Sequence, residues 1–151
     1  MSTAQTWQTE STSTDATLNI AAAIGSKTRG GEVIELVSDL GGGKTTFVKG
    51  LARGMGSREQ VRSPSFTLSN QYVAGKLTLW HFDFYRLEEP GIMRAELAEA
   101  LEDPQAVIAV EWPDIVQEVL PAGHLTVRLT NTGENSRRLE ISYPPTLAYL
   151  L

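Results

Sequence analysis

The sequence predicts a single α/β domain: a mixed sheet with central parallel strands, helices packed on it in three layers, and antiparallel hairpins. Three observations carry this reading. The apolar run Val33–Val37 leads into a glycine-rich turn, Ser38–Thr45, and then into the amphipathic stretch Thr46–Met55, a strand, turn and helix in succession. Ala106-Val107-Ile108-Ala109-Val110 is apolar at every position, which suits a strand buried on both faces of a sheet. Two further segments, one about Ala74-Gly75-Lys76 and one about Asn131–Asn135, alternate apolar and polar residues on either side of turn formers, as hairpins do.

With 151 residues the chain has the size of one domain, 1–151, which can bury a proper core. Its 41% hydrophobic and 21% charged residues exclude disordered and fibrous classes. A formal charge of −5 argues against a large basic footprint for DNA, RNA or an anionic membrane, so any contact with RNA is expected to be indirect. There are no cysteines, and two histidines are too few for an imidazole zinc site, which leaves magnesium held by oxygen ligands. No stretch has the length and apolarity of a leader or a membrane span, and a cytoplasmic location is expected.

Residues 1–12 are rich in Ser, Thr and Gln and are expected to be frayed. Ser13, Thr14 and Asp15 are N-cap candidates for a first helix over 16–27, whose inner face is read as Leu18, Ala21, Ala22 and Gly25. Thr28-Arg29-Gly30-Gly31 breaks the chain before the strand Val33–Val37.

The turn that follows, Ser38-Asp39-Leu40-Gly41-Gly42-Gly43-Lys44-Thr45, combines what phosphate binding requires. Glycines let backbone N–H groups curl round an anion, a lysine reaches the outer phosphates, and a hydroxyl serves magnesium. The next helix adds unpaired N–H groups and the positive end of its dipole. Three consecutive glycines are entropically costly unless the turn has such a purpose. The strict Walker A pattern has Gly where this chain has Ser38. The domain is accordingly read as P-loop NTPase-like.

Phe47, Val48, Leu51, Ala52 and Met55 form the apolar stripe of the second helix, with Lys49 and Arg53 on its other side and Gly54 and Gly56 ending it. Val61–Leu68, marked by Pro64, reads either as a connection or as a switch loop sensing the outermost phosphate. The first hairpin is placed at 66–73 and 77–84, with Leu77, Leu79, His81 and Asp83 sharing one face. Asp83, at the end of its strand, is a candidate for holding magnesium through water, and the alternative is a solubilising charge. His81 reads as a packed or hydrogen-bonded sheet histidine rather than a ligand.

A helix is expected through Met93, Leu97 and Leu101 as scaffold, its acidic residues in water. Glu111 follows directly on the buried strand 106–110, and ligands of open α/β sheets lie just outside the carboxyl ends of the strands. That makes Glu111 a second candidate to hold magnesium or orient water. Trp112 either walls the site or caps the core. The last hairpin, Leu125–Leu129 and Leu139–Tyr143, is expected to close the sheet with Arg128, Arg137 and Arg138 on its wet face. The tail 147–151 is either docked or disordered.

Four stretches together resemble the bacterial TsaE (YjeE) family: Asp39–Thr46, Ser63–Leu68, His81-Phe82-Asp83-Phe84-Tyr85-Arg86-Leu87 and Glu111-Trp112-Pro113. With Ala16-Thr17-Leu18 ahead of the loop, the likeness spans residues 13–114. It implies a small ATPase that works with TsaB and TsaD to form threonylcarbamoyladenosine at position 37 of tRNAs reading ANN codons. Carried over by motif, Leu40, Gly41, Gly42, Gly43, Lys44, Thr45 and Thr46 would bind the ATP phosphates, and Thr14 would approach the adenine side. Thr45 and Glu111 would hold Mg2+, and Asp83 would serve the hydrolytic step and the metal. Lys44, Asp83 and Glu111 are thus the catalytic candidates. The chain departs from the family at Ser38, where Gly is usual, at Ser65, where Thr is usual, and over 91–101. With no arginine finger beyond Arg86 in prospect, hydrolysis is expected to be slow without partners. The competing readings are an adaptor that senses nucleotide without turnover and a small-molecule kinase, which would carry more arginines than the single Arg94 found in 88–105.

Overall fold

A computed structural model describes residues 4–38, 43–61, 69–84, 91–111 and 119–151. Among these residues ten regular elements follow one another: β1 Gln5–Ser11, α1 Thr14–Gly25, β2 Val33–Val37, α2 Lys44–Met55, β3 Ser69–Ala74, β4 Leu77–Asp83, α3 Gly91–Glu102, β5 Ala106–Glu111, β6 Leu125–Asn131 and β7 Arg137–Tyr143. A 3-10 helix, Pro145–Leu150, ends the chain. The strands form one seven-stranded sheet in the order β1-β7-β6-β2-β5-β4-β3. Neighbours within the run β6-β2-β5-β4 are parallel, and antiparallel pairs extend it on both sides.

The sheet separates two cores. On one face α1 and α2 cover Ile34, Leu36, Leu79, Ala109, Leu125, Val127, Leu139 and Ile141. On the other, Leu97 and Ala100 of α3 cover Val33, Phe82, Phe84, Ile108 and Val110. Strand side chains alternate between faces, so Leu36, Ala109 and Leu79 look toward α2 while Val33, Val110 and Phe82 look toward α3. β5 touches both cores and is buried throughout, as its unbroken apolar run predicts.

Several boundaries differ from the sequence reading. Residues 5–11 are a paired strand rather than a frayed start, in register with β7 from Gln5↔Tyr143 to Ser11↔Arg137. An edge strand is held by backbone hydrogen bonds, which need no apolar side chains. As a result β1, not the last hairpin, closes this side of the sheet. α1 begins at Thr14 because Ser13 is its cap, the Ser13 hydroxyl accepting from the Ala16 N–H at 3.0 Å. Its buried residues are Thr17, Ala21, Ile24 and Gly25, so the inner face is rotated from the expected one.

Gly54 does not end α2; it lies inside the helix where α1 crosses. A Cβ there would come 2.0 Å from the Ala22 carbonyl oxygen, and one on Gly50 2.5 Å from the Ala21 Cβ. Gly56, with φ +97°, is the terminator. The tail is docked, with Leu147 and Leu150 buried. No helix among the described residues is long and apolar enough to cross a membrane.

Candidate active site

The site lies at the carboxyl ends of the parallel strands, where β2 runs out toward α2. β2 ends at Val37, and Ser38 opens the loop. Leu40, Gly41 and Gly42 lie outside the described residues, as do residues 62–68 of the candidate switch loop Val61–Leu68, Arg86 and Trp112. Gly43 caps α2 with φ +98°, a left-handed conformation that side chains resist. No side chain caps this helix end, and the positive end of a helix dipole favours an anion.

Lys44 is 7% exposed, and its Nζ donates to the Ser38 carbonyl at 3.3 Å. The ammonium is thus folded back toward the end of β2. Because the acceptor is a backbone oxygen, Ser and Gly at position 38 offer it equally. Thr45 and Thr46 come next on the first turn of α2, both half-buried.

Two strands bring the acidic candidates to the same end. Leu36 pairs with Glu111 across β2 and β5, and Asp83 pairs with Glu111 across β4 and β5. Paired residues of neighbouring strands share a face, so Asp83 and Glu111 stand side by side on the α2 face. Glu111 is 4% exposed, and its carboxylate accepts a hydrogen bond from Nε2 of His81, which is fully buried. His81 is therefore the hydrogen-bonded sheet histidine the sequence predicts. Its partner, Glu111, is not legible from the sequence.

Hard oxygen donors suit magnesium rather than a softer ion. Among the described residues no three acidic or imidazole groups converge into a ready metal cage. Magnesium does not need one, since it is usually held by one or two carboxylates together with substrate phosphates and water. The Glu111 carboxylate has no second hydrogen bond among the described residues, which leaves its other oxygen for a cation. The residues present therefore fit the ion.

Thr14 opens α1 and reaches the same neighbourhood. With Thr17, Gly43, Thr46, Asn135 and Arg137 it lines a cleft of about 40 Å³. Asn135 and Arg137 are additions that the sequence reading missed, having put Arg137 on the wet face of the hairpin. The Arg137 Nε lies 3.8 Å from where a Gly43 Cβ would stand, and its Nη1 donates to the Ser136 carbonyl at 2.9 Å within its own turn. Parity could have found it: Arg137 falls two and four residues before the buried Leu139 and Ile141. Arg138 points to the other face and pairs with Glu10 at 3.4 Å.

Comparison with known proteins bears on the family and the fold. The family model described as "Threonylcarbamoyl adenosine biosynthesis protein TsaE" matches residues 11–139. The tRNA threonylcarbamoyladenosine biosynthesis protein TsaE of Nostoc sp. is 38% identical over 131 residues, 85% of this chain and 80% of its own. That of Bacillus subtilis is 39% identical over 109 residues, 72% of this chain and 68% of its own. The crystal structure of Bacillus subtilis YdiB superposes with a TM-score of 0.75 at 30% identity, covering 97% of this chain and 89% of that one. The chain belongs to the TsaE family and has its P-loop NTPase fold.

Proposed function

We propose that the protein is a magnesium-dependent ATPase that acts with TsaB and TsaD in forming threonylcarbamoyladenosine at position 37 of tRNAs reading ANN codons, meeting tRNA through that assembly in the cytoplasm. The observation that carries the reading is the convergence, at one end of the parallel strands, of the uncapped α2 terminus, the folded-back Lys44 and the buried carboxylate of Glu111.

In this reading Lys44 leaves the Ser38 carbonyl for the β- and γ-phosphates, joined by N–H groups of Leu40 to Thr46. The Thr45 hydroxyl and one Glu111 oxygen would hold Mg2+, with Asp83 beside them. Bound magnesium supplies the charge that offsets the phosphate oxygens. Asp83 orients the attacking water and takes its proton as the new bond to the γ-phosphorus forms and the bond to the ADP oxygen breaks. Thr14 and Arg137 border the nucleoside side of the loop. Most of the rate gain then comes from positioning and charge, not from covalent chemistry.

The test is ATP hydrolysis by the purified chain with magnesium, alone and with its cognate TsaB and TsaD. Slow turnover alone that rises on adding both partners is expected. Nucleotide binding without hydrolysis under either condition would replace the ATPase with a sensing adaptor.

A further inference from the structure

We propose that His81 is a positioning residue for Glu111: its Nε2–H fixes the carboxylate so that one oxygen is occupied and the other is presented to magnesium. The proposal rests on the reading of Glu111 as a metal ligand.

Register explains how the contact arises. His81 pairs with Ala109 across β4 and β5, and Asp83 pairs with Glu111 two residues on. The small side chain of Ala109 leaves room for the imidazole to lean diagonally to Glu111. Both partners sit on strands inside the sheet, so neither has the freedom of a loop side chain.

Stability does not account for a histidine at this position. It is fully buried, and its Nδ1 has no hydrogen-bond partner among the described residues. An unmatched buried polar atom destabilises a core. The preceding residue on the same face, Leu79, is equally buried with no such cost. What histidine offers and leucine lacks is the single bond to Glu111. A hydrogen-bonded outer residue that orients a metal ligand commonly changes metal affinity by ten- to a hundredfold.

The experiment is calorimetric titration of the full chain with ADP, with magnesium and again with EDTA, for the wild type and for His81→Leu, His81→Gln and His81→Asn. His81→Leu should lower the gain in affinity that magnesium brings by about ten- to a hundredfold, with EDTA affinity changed by less than about twofold. Gln carries its amide nitrogen where imidazole has Nε2 and should retain most of the gain. Asn places it too short and should behave like Leu. That contrast stands even if the Leu variant does not fold. In a Glu111→Gln background, His81→Leu should cause no further loss.

Full retention of the magnesium effect in folded His81→Leu or His81→Asn would overturn the proposal. So would an equal loss with EDTA, which would indicate a merely structural role. A wild-type chain whose ADP affinity ignores magnesium would instead remove the metal-ligand reading of Glu111 itself, and the inference with it, before any variant is made.

Discussion

Two carboxylates, one at each end of the central strands, are almost equally buried, Glu32 at 2% exposure and Glu111 at 4%. Glu32, at the entrance to β2, accepts three hydrogen bonds. Its Oε1 accepts from the Gly30 N–H at 2.8 Å, and its Oε2 accepts from the Arg29 N–H at 2.7 Å and the Tyr149 hydroxyl at 2.6 Å. The Arg29 guanidinium lies 4.0 Å over the Tyr149 ring, so one carboxylate ties the α1–β2 turn to the C-terminal helix. Desolvation and the Glu32 carboxylate push the Tyr149 phenol up to about 12, so this hydroxyl stays a donor through the neutral range. Glu111, at the exit of β5, has only His81 among the described residues. Glu32 thus holds structure through three hydrogen bonds. Glu111 is the one to which the proposed function assigns the metal.

The largest expected effect separates the two by function. Glu111→Gln keeps shape and the possibility of a hydrogen bond but removes charge, and should lower magnesium-dependent hydrolysis about 10²- to 10³-fold while changing the melting temperature by less than about 2 °C. Steady-state kinetics and a thermal melt on one preparation decide it. A collapse in stability would place Glu111 with Glu32 as a structural group.

Glu32→Ala should show the reverse. Two backbone N–H groups and a phenol lose their acceptor, which should cost about 3 kcal/mol, or roughly 6–12 °C in melting temperature for a chain of this size. ADP affinity should remain within about twofold by calorimetry. A loss of binding with stability intact would break the division between the two ends.

Gly54→Ala sharpens it from a distance. The added methyl meets the Ala22 carbonyl at 2.0 Å, and overpacking of this kind should cost about 2 kcal/mol. Urea unfolding should report the loss, and because Gly54 lies at the end of α2 away from the loop, nucleotide affinity should hardly change.

The smallest effect concerns a third carboxylate, Glu35, on the α3 face, whose Oε2 is 2.8 Å from His124 Nε2. The hydrogen bond to His124 holds the Glu35 carboxyl below its usual range, and the bond to Glu35 raises the His124 imidazole. For the raised histidine, the stabilisation is complete below its unfolded value, near 6.5, and is lost as pH rises through the higher folded value. For the lowered carboxyl it is present above about 4.5 and lost as pH falls through the lower folded value. The advantage of wild type over His124→Gln should therefore be greatest near pH 5–6, a degree or two in melting temperature, and should fade above neutrality. A gap that widens with pH would contradict the pairing.

How much of this could be read from residue order follows from what holds each part. The parallel centre was legible because β5 is apolar throughout and β2 runs directly into glycines, a lysine and a threonine, local patterns with local causes. α2 and both hairpins were legible from periodicity. β1 was not, because Gln5–Ser11 carries little apolar signal and is held by the main chain of β7. Gly54 resembled a helix terminator since its reason, the approach of Ala22 in α1, lies 32 residues away in the chain.

The site divides in the same way. Lys44, Thr45, Asp83 and Glu111 were candidates from residue type and position at strand ends, because phosphate and magnesium chemistry demands those groups in that local setting. Residue order by itself determined the fold class, the loop and the helix it starts. Only the tertiary structure decided that His81 holds Glu111, that Arg137 stands beside Gly43, and that Glu32 binds the C-terminal helix. These contacts depend on strand register and face, and register is set by the packing of the whole sheet rather than by any one of its segments.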